Sequence, residues 1–207
     1  GVGTDPTVRF DHSDALHSFD SSLTGTLGVV HDGTGTTDLV GASSAYTGPT
    51  TVNAGELRIG GVTATSSIAV NAGATLGLPA GAGAATSGGY TQAAGGAYRV
   101  YVANASTYGT LAVGGNVSLP AGAAIGVIVA NCSAIGPGTV IPGVMTSSNP
   151  IPANGFLVSD NCPNIAFTAV LSANTLAVDL VVRADASGTS QPVPTLTDLS
   201  RAPLVLA

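Results

Sequence analysis

"YTGPTTVNAGELRIGG", residues 46–61, holds a glycine turn between two runs in which apolar and polar residues alternate. Alternation with a period of two marks a strand with one buried face. The phrase returns at residues 68–78 as "IAVNAGATLGL". Its shared part, Val-Asn-Ala-Gly, stands at Val52–Gly55 and at Val70–Gly73, 18 positions apart. Thr, Ser and β-branched residues precede each copy. Alternating apolar residues follow: Leu57 and Ile59 in the first, Leu76 and Leu78 in the second. Upstream, "GTGTTDLVG" (33–41) has the same rhythm, and downstream so does "GTLAVGGNVSLPAGAAIGVIV" (109–129). Apolar spacing at three and four is nowhere sustained, so helices are not expected.

Short strands at a near-constant interval suit an antiparallel sandwich or a solenoid of stacked turns. The repeated phrase favours the solenoid, where equivalent positions lie one strand spacing apart, about 4.8 Å. Val52 over Val70 then fills a continuous core, together with Leu57, Ile59, Leu76 and Leu78. Asn53 over Asn71 forms an amide ladder at a corner. Gly55 and Gly73 take the turn, where φ is free to be positive.

Composition narrows the classes. Charged residues are 8% of the 207 and aromatics 4%, against 29 glycines. A usual domain is about one quarter charged. No apolar run approaches the roughly 20 residues of a membrane helix, so the chain as given is not expected to span a membrane. All five basic residues are Arg (Arg9, Arg58, Arg99, Arg183, Arg201), and the net charge is −6. Nucleic acid needs a basic surface to neutralise its phosphates, and none is present. The two cysteines, Cys132 and Cys162, lie 30 positions apart in a Pro-, Asn- and Gly-rich segment. No His follows His31, so a metal site lacks ligands there. A disulfide is the better reading, with two small buried thiols as the alternative; it implies an oxidising compartment. No signal peptide is visible at Gly1, which suits a mature chain or a fragment.

The text changes at Gly88, where "GGYTQAAGGAYRVYV" (88–102) brings larger side chains. Five prolines punctuate residues 131–164. Strands resume in "IAFTAVLSANTLAVDLVVRA" (165–184), with Ser172–Asn174 as a hairpin turn. The expected divisions are a solenoid at 1–87, a more irregular C-terminal β cap at 88–184, and a linker and tail at 185–207.

The N-terminal text resembles the passenger-associated repeat of bacterial autotransporters. The residues that carry the resemblance are Phe10–Asp14, Gly33–Gly41 and Tyr46–Val52. "YTQAAGGAYRVYV" and "YGTLAVGGNVSL" are similar to the autochaperone region that follows such repeats. The resemblance spans roughly residues 5–182. It implies an all-β, right-handed parallel β-helix on the outer surface of a Gram-negative bacterium, with a stable C-terminal cap that seeds folding. With no outer-membrane barrel in the sequence, it implies a cleaved or excised passenger, or a relative exported another way. The ending "PVPTLTDLSRAPLVLA" (192–207) resembles a truncated C-terminal sorting signal.

Candidates for chemistry are sparse. Asp11, His12, Asp14, His17, Asp20, His31 and Asp32 form the densest polar cluster. They suit structural polar residues better than weak metal binding, and catalysis least. No Gly-x-Ser-x-Gly elbow offers a nucleophile. "DGTGTTD" (32–38) lacks the calcium-loop spacing and its bidentate Glu. Tyr90, Tyr98, Tyr101 and Tyr108 suit core or cap packing before a carbohydrate-stacking strip. Glu56 and the scattered Asp residues show no paired-carboxylate spacing for glycoside hydrolysis. No cofactor and no catalytic residue are expected. The expected role is a noncatalytic surface stalk, adhesin segment or matrix component that meets a host or cell-surface receptor or glycan. Its rivals are a subunit that self-assembles end to end into a filament and, less favoured, a polysaccharide-acting enzyme.

Overall fold

A computed structural model describes residues 6–39, 45–61 and 65–184. The expected linker and tail, with the sorting-signal-like ending, lie outside the described residues. The chain coils through three parallel faces. The first face stacks Thr7–Phe10, Gly28–His31, Thr50–Val52, Ile68–Val70, Tyr90–Gln92 and Val117–Ser118 in that order. The second stacks His17–Ser18, Thr36–Leu39, Glu56–Ile59, Thr75–Leu78, Ala97–Asn104, Ala123–Val129 and Phe156–Asp160. On the third, Thr24–Gly25 pairs with Ala45–Tyr46, and Gly83–Thr86, Thr110–Val113 and Val140–Ser147 follow. An isolated parallel bridge pairs Thr65 with Thr86 of the next coil. This is a parallel β-helix, not a sandwich.

Register places like on like. Phe10, His31, Val52, Val70 and Gln92 stack on one line, at intervals of 21, 21, 18 and 22 residues. Leu57 lies between Thr37 and Leu76. Ile59 pairs with Leu39, and Leu78 with Val100. Val52, Leu57, Ile59, Val70, Leu76 and Leu78 are all fully buried in one core. Each such side chain is worth about 1.5–3 kcal/mol in burial. Gly55 has φ +59°, and a Cβ there would stand 2.2 Å from the Gly35 carbonyl oxygen; Gly73 has φ +79°. Glycine is required at both turns by backbone conformation, and at Gly55 by close approach as well.

Side chains tie coils together along one corner. Asn71 Nδ2 donates to Asn53 Oδ1 at 2.6 Å, and Asn53 Nδ2 donates to Asp32 Oδ1 at 2.6 Å. Arg9 donates to the other oxygen of Asp32. The expected amide pair is thus half of a ladder through four coils.

The parallel pairing runs without interruption across residue 88. Tyr90–Gln92 pairs with Ile68–Val70 below and Val117–Ser118 above. The aromatic residues enlarge the core there: Tyr90 and Tyr98 are fully buried with ring centroids 6.3 Å apart, and Tyr98 donates to the Val144 carbonyl. The irregular part is the C-terminal hairpin. Ala177–Ala184 pairs antiparallel with both Val140–Ser147 and Ile165–Leu171. Its turn is at Ser172–Leu176, where Ser172 and Ala177 exchange backbone and side-chain hydrogen bonds.

Cys132 and Cys162 form a disulfide with Cα atoms 5.6 Å apart. Cys132 opens a short 3-10 turn, Cys132–Ala134, after the second-face strand Ala123–Val129; Cys162 follows the next strand of that face. Between them Asn161 accepts from the Val129 amide at 2.8 Å and donates to its carbonyl at 3.0 Å. Its side chain continues the ladder where the strand backbone has ended. Among the described residues, no helix is long and apolar enough to cross a membrane.

Candidate functional site on the second face

Residues of a strand point alternately in and out. On the second face the register therefore makes an outward row of Asp38, Arg58, Gly77, Arg99 and Gly126. A parallel row holds Thr36, Glu56, Thr75, Ala97 and Ala124. Charged residues thus sit beside blanks. A Cβ on Gly77 would stand 2.6 Å from Glu56 Oε1 and 3.0 Å from Arg58 Cγ. A Cβ on Gly126 would touch Arg99 Nε at 3.5 Å. The glycines are the floor on which the arginine side chains lie.

Glu56 is the centre of this arrangement, and it is buried although it points outward. Arg58 Nε donates to its Oε1 at 3.1 Å and Tyr101 Oη to the same oxygen at 2.7 Å. Arg99 Nη1 donates to Oε2 at 2.5 Å. The Arg58 guanidinium carbon also lies 4.8 Å from the Tyr101 ring centroid, a cation–π contact. Three donors satisfy the carboxylate, as burial of a charge demands. Burial, then the charge of Glu56, push the Tyr101 phenol up to about 12. Periodicity alone did not single out this centre. Its partners lie 43 and 45 positions along the chain, and only the coil register brings them over Glu56.

Beside the network opens a recess of about 210 Å³, lined by Asp38, Arg58, Pro79, Tyr101 and Ile128 among others. Asp38 forms one side. Its Oδ1 is buried and has no hydrogen-bond partner, and burial raises its pKa against the opposing pull of Arg58.

The histidine cluster is brought together at the N-terminal end. The His12 ring centroid is 5.2 Å from that of His17 and 5.8 Å from that of His31. His12 Nε2 lies 2.7 Å from Thr37 Oγ1, and its Nδ1 accepts from the Asp14 amide at 3.2 Å. His31 is fully buried and donates through Nδ1 to the Ala54 carbonyl at 2.9 Å; its Nε2 has no partner. Burial lowers the His31 pKa. Asp32 gives its carboxylate to Arg9 and Asn53, and Asp38 lies on the second face, so the two ends of "DGTGTTD" serve different corners. Among the described residues, no three His, Cys, Asp or Glu side chains are arranged to hold a metal ion. The asparagines of the Asn-x-Ser triplets make short-range or neighbouring-loop bonds: Asn104 and Asn131 accept from the serine amide two residues on, and Asn116 accepts from Asn149.

No curated protein matches the chain. A family model described as passenger-associated-transport-repeat matches residues 30–59. The matched span begins in the first-face strand Gly28–His31 and ends with the second-face strand Glu56–Ile59 of the next coil. It includes Asp32 and Asn53 of the corner ladder and Asp38, Glu56 and Arg58 of the second face. Residues 30–59 are thus similar to the passenger-associated-transport-repeat, a repeat characteristic of autotransporter passenger domains.

Proposed function

We propose that this chain is a noncatalytic, extracellular β-solenoid at the surface of a Gram-negative bacterium, serving as a stalk, adhesive segment or matrix component. One observation carries the reading most of the way: the polar side chains are engaged mainly in joining coil to coil. Arg9, Asp32, Asn53 and Asn71 make one axial ladder, and Glu56 collects donors from its own coil and from a coil two steps away. Groups engaged in this way hold a rod together and are not free for proton transfer. The passenger-associated repeat supports an outer-surface location. Antibody labelling of intact cells that make the native protein tests the location; signal only after permeabilisation overturns it. Release of new reducing ends from a polysaccharide panel by the purified chain overturns the noncatalytic part.

Assembly into a filament is a second reading. Among the described residues, Thr7–Phe10 and His17–Ser18 are the end strands of their faces, and Thr24–Gly25 pairs only with the coil above it. Open edges accept a further strand. At the opposite end the antiparallel hairpin finishes the third face, while Val117–Ser118 and Phe156–Asp160 are the end strands of the other two. Electron microscopy of concentrated protein is expected to show rods longer than one molecule if the reading holds, and uniform short particles if it does not.

A further inference from the structure

We infer that the recess on the second face is a subsite for one unit of a neutral carbohydrate. Its volume, about 210 Å³, is below the ~300–1,000 Å³ of pockets for drug-sized ligands and suits a single ring. Its walls are apolar where Pro79, Ala80, Ile128 and Ala130 stand, which suits the C–H faces of a sugar.

Charge selects the class. Asp38 and Arg58 are the charged residues that line the site, one of each sign, so neither a cation nor an anion is drawn by net charge. Glu56 is saturated by its three donors. What holds no hydrogen bond among the described residues is Asp38 Oδ1, buried in the wall, and the terminal nitrogens of Arg58. The site therefore offers an acceptor and donors side by side. A hydroxyl group donates and accepts together, so adjacent sugar hydroxyls complement the pair. A purely apolar occupant would leave Asp38 Oδ1 as unsatisfied as it is now. Asp38 Oδ1 is enclosed by the wall, so sugar binding requires the broad, soft carboxylate torsion of Asp to turn an oxygen into the recess.

The inference adds a ligand class to the surface-solenoid reading and rests on it only for where sugar is met. Saturation-transfer NMR on the full chain tests it, with methyl glucoside, methyl galactoside, methyl mannoside and N-acetylglucosamine as neutral probes, and glucuronate and sialic acid as charged ones. Two variants on separate coils accompany the wild type: Asp38→Ala removes the acceptor, and Ile128→Trp fills the recess from its outer wall. Circular dichroism and urea midpoints verify their folding. The expected result is transfer to at least one neutral sugar, weakened at least tenfold in both variants. Absence of transfer to every neutral sugar overturns the inference. So does transfer unchanged in a folded variant, or a preference for the charged sugars. Cell-surface labelling is unaffected by any of these results, so the two readings fail separately.

Discussion

At Gly77 a hydrogen atom stands where any side chain would meet Glu56 and Arg58. The consequence is a pair of substitutions with one mechanism. Gly77→Ala is expected to lower the urea midpoint by displacing Arg58, although its added methyl is apolar and small. Glu56→Gln is expected to cost more, about 3–5 kcal/mol, because it strands Arg58 and Arg99 beside a neutral amide. The arginine side chains are 25% and 17% exposed, so water compensates them only in part. A midpoint for Glu56→Gln within error of wild type would refute this account. His31 gives a pH test. Burial holds its folded pKa below the ordinary 6.5, so the unfolded chain binds the proton more readily. Its contribution to stability is complete above about pH 6.5 and declines as pH falls below it. Asp11, His12 and Asp32 are the ionisable neighbours whose charges act on it. His31→Asn, whose Nδ2 stands near the place of the imidazole Nδ1, is expected to flatten the part of the stability–pH curve between pH 7 and 5 relative to wild type. Asn53 and Asn71 were legible as a ladder from sequence because the same letters recur 18 positions apart. Asp32 and Arg9, two further coils down, were not, since the ladder continues there with different letters.

For the elements, the disulfide shows what sequence does and does not supply. Composition and spacing pointed to the Cys132–Cys162 bond, and the strands it joins became apparent only with the fold. It ties the ends of two neighbouring second-face strands, next to Asn161. Closure of a loop of this size is worth about 3–4 kcal/mol in the chain-entropy account. Reduction is expected to lower the melting temperature by several degrees, at roughly 2–4 °C per kcal/mol for a chain of this length. It should loosen amide protection in Phe156–Asp160 first, read by hydrogen exchange. Uniform loosening along the chain would speak against a local role. The change of text at Gly88 reflects bigger residues inside the same stack: Tyr90 and Tyr98 raise the core volume without altering the direction of the strands. Composition detects side-chain size readily, but it carries no information on whether successive strands remain parallel.

Across the whole molecule, the two ends differ in how they are finished. The N-terminal coils have short, exposed strands at His17–Ser18 and Thr24–Gly25, whereas the C-terminal third face ends in paired strands of seven and eight residues. In a stack where each coil touches mainly its neighbours, stability is a sum of local terms, and the weaker end opens first. Limited proteolysis is expected to trim from the N-terminal side and leave a resistant fragment containing the disulfide and the hairpin. A resistant N-terminal half with a digested C-terminal half would reverse the picture.

The intervals between stacked positions, 21, 21, 18 and 22 residues, vary while the register does not. The differences are absorbed at the corners, so a coil tolerates insertion or loss of a few residues without disturbing the one above. Length is then an adjustable property: each added coil extends the reach by about 4.8 Å and leaves the finished end as it was. Duplicating coils would lengthen the stack without new chemistry at its corners.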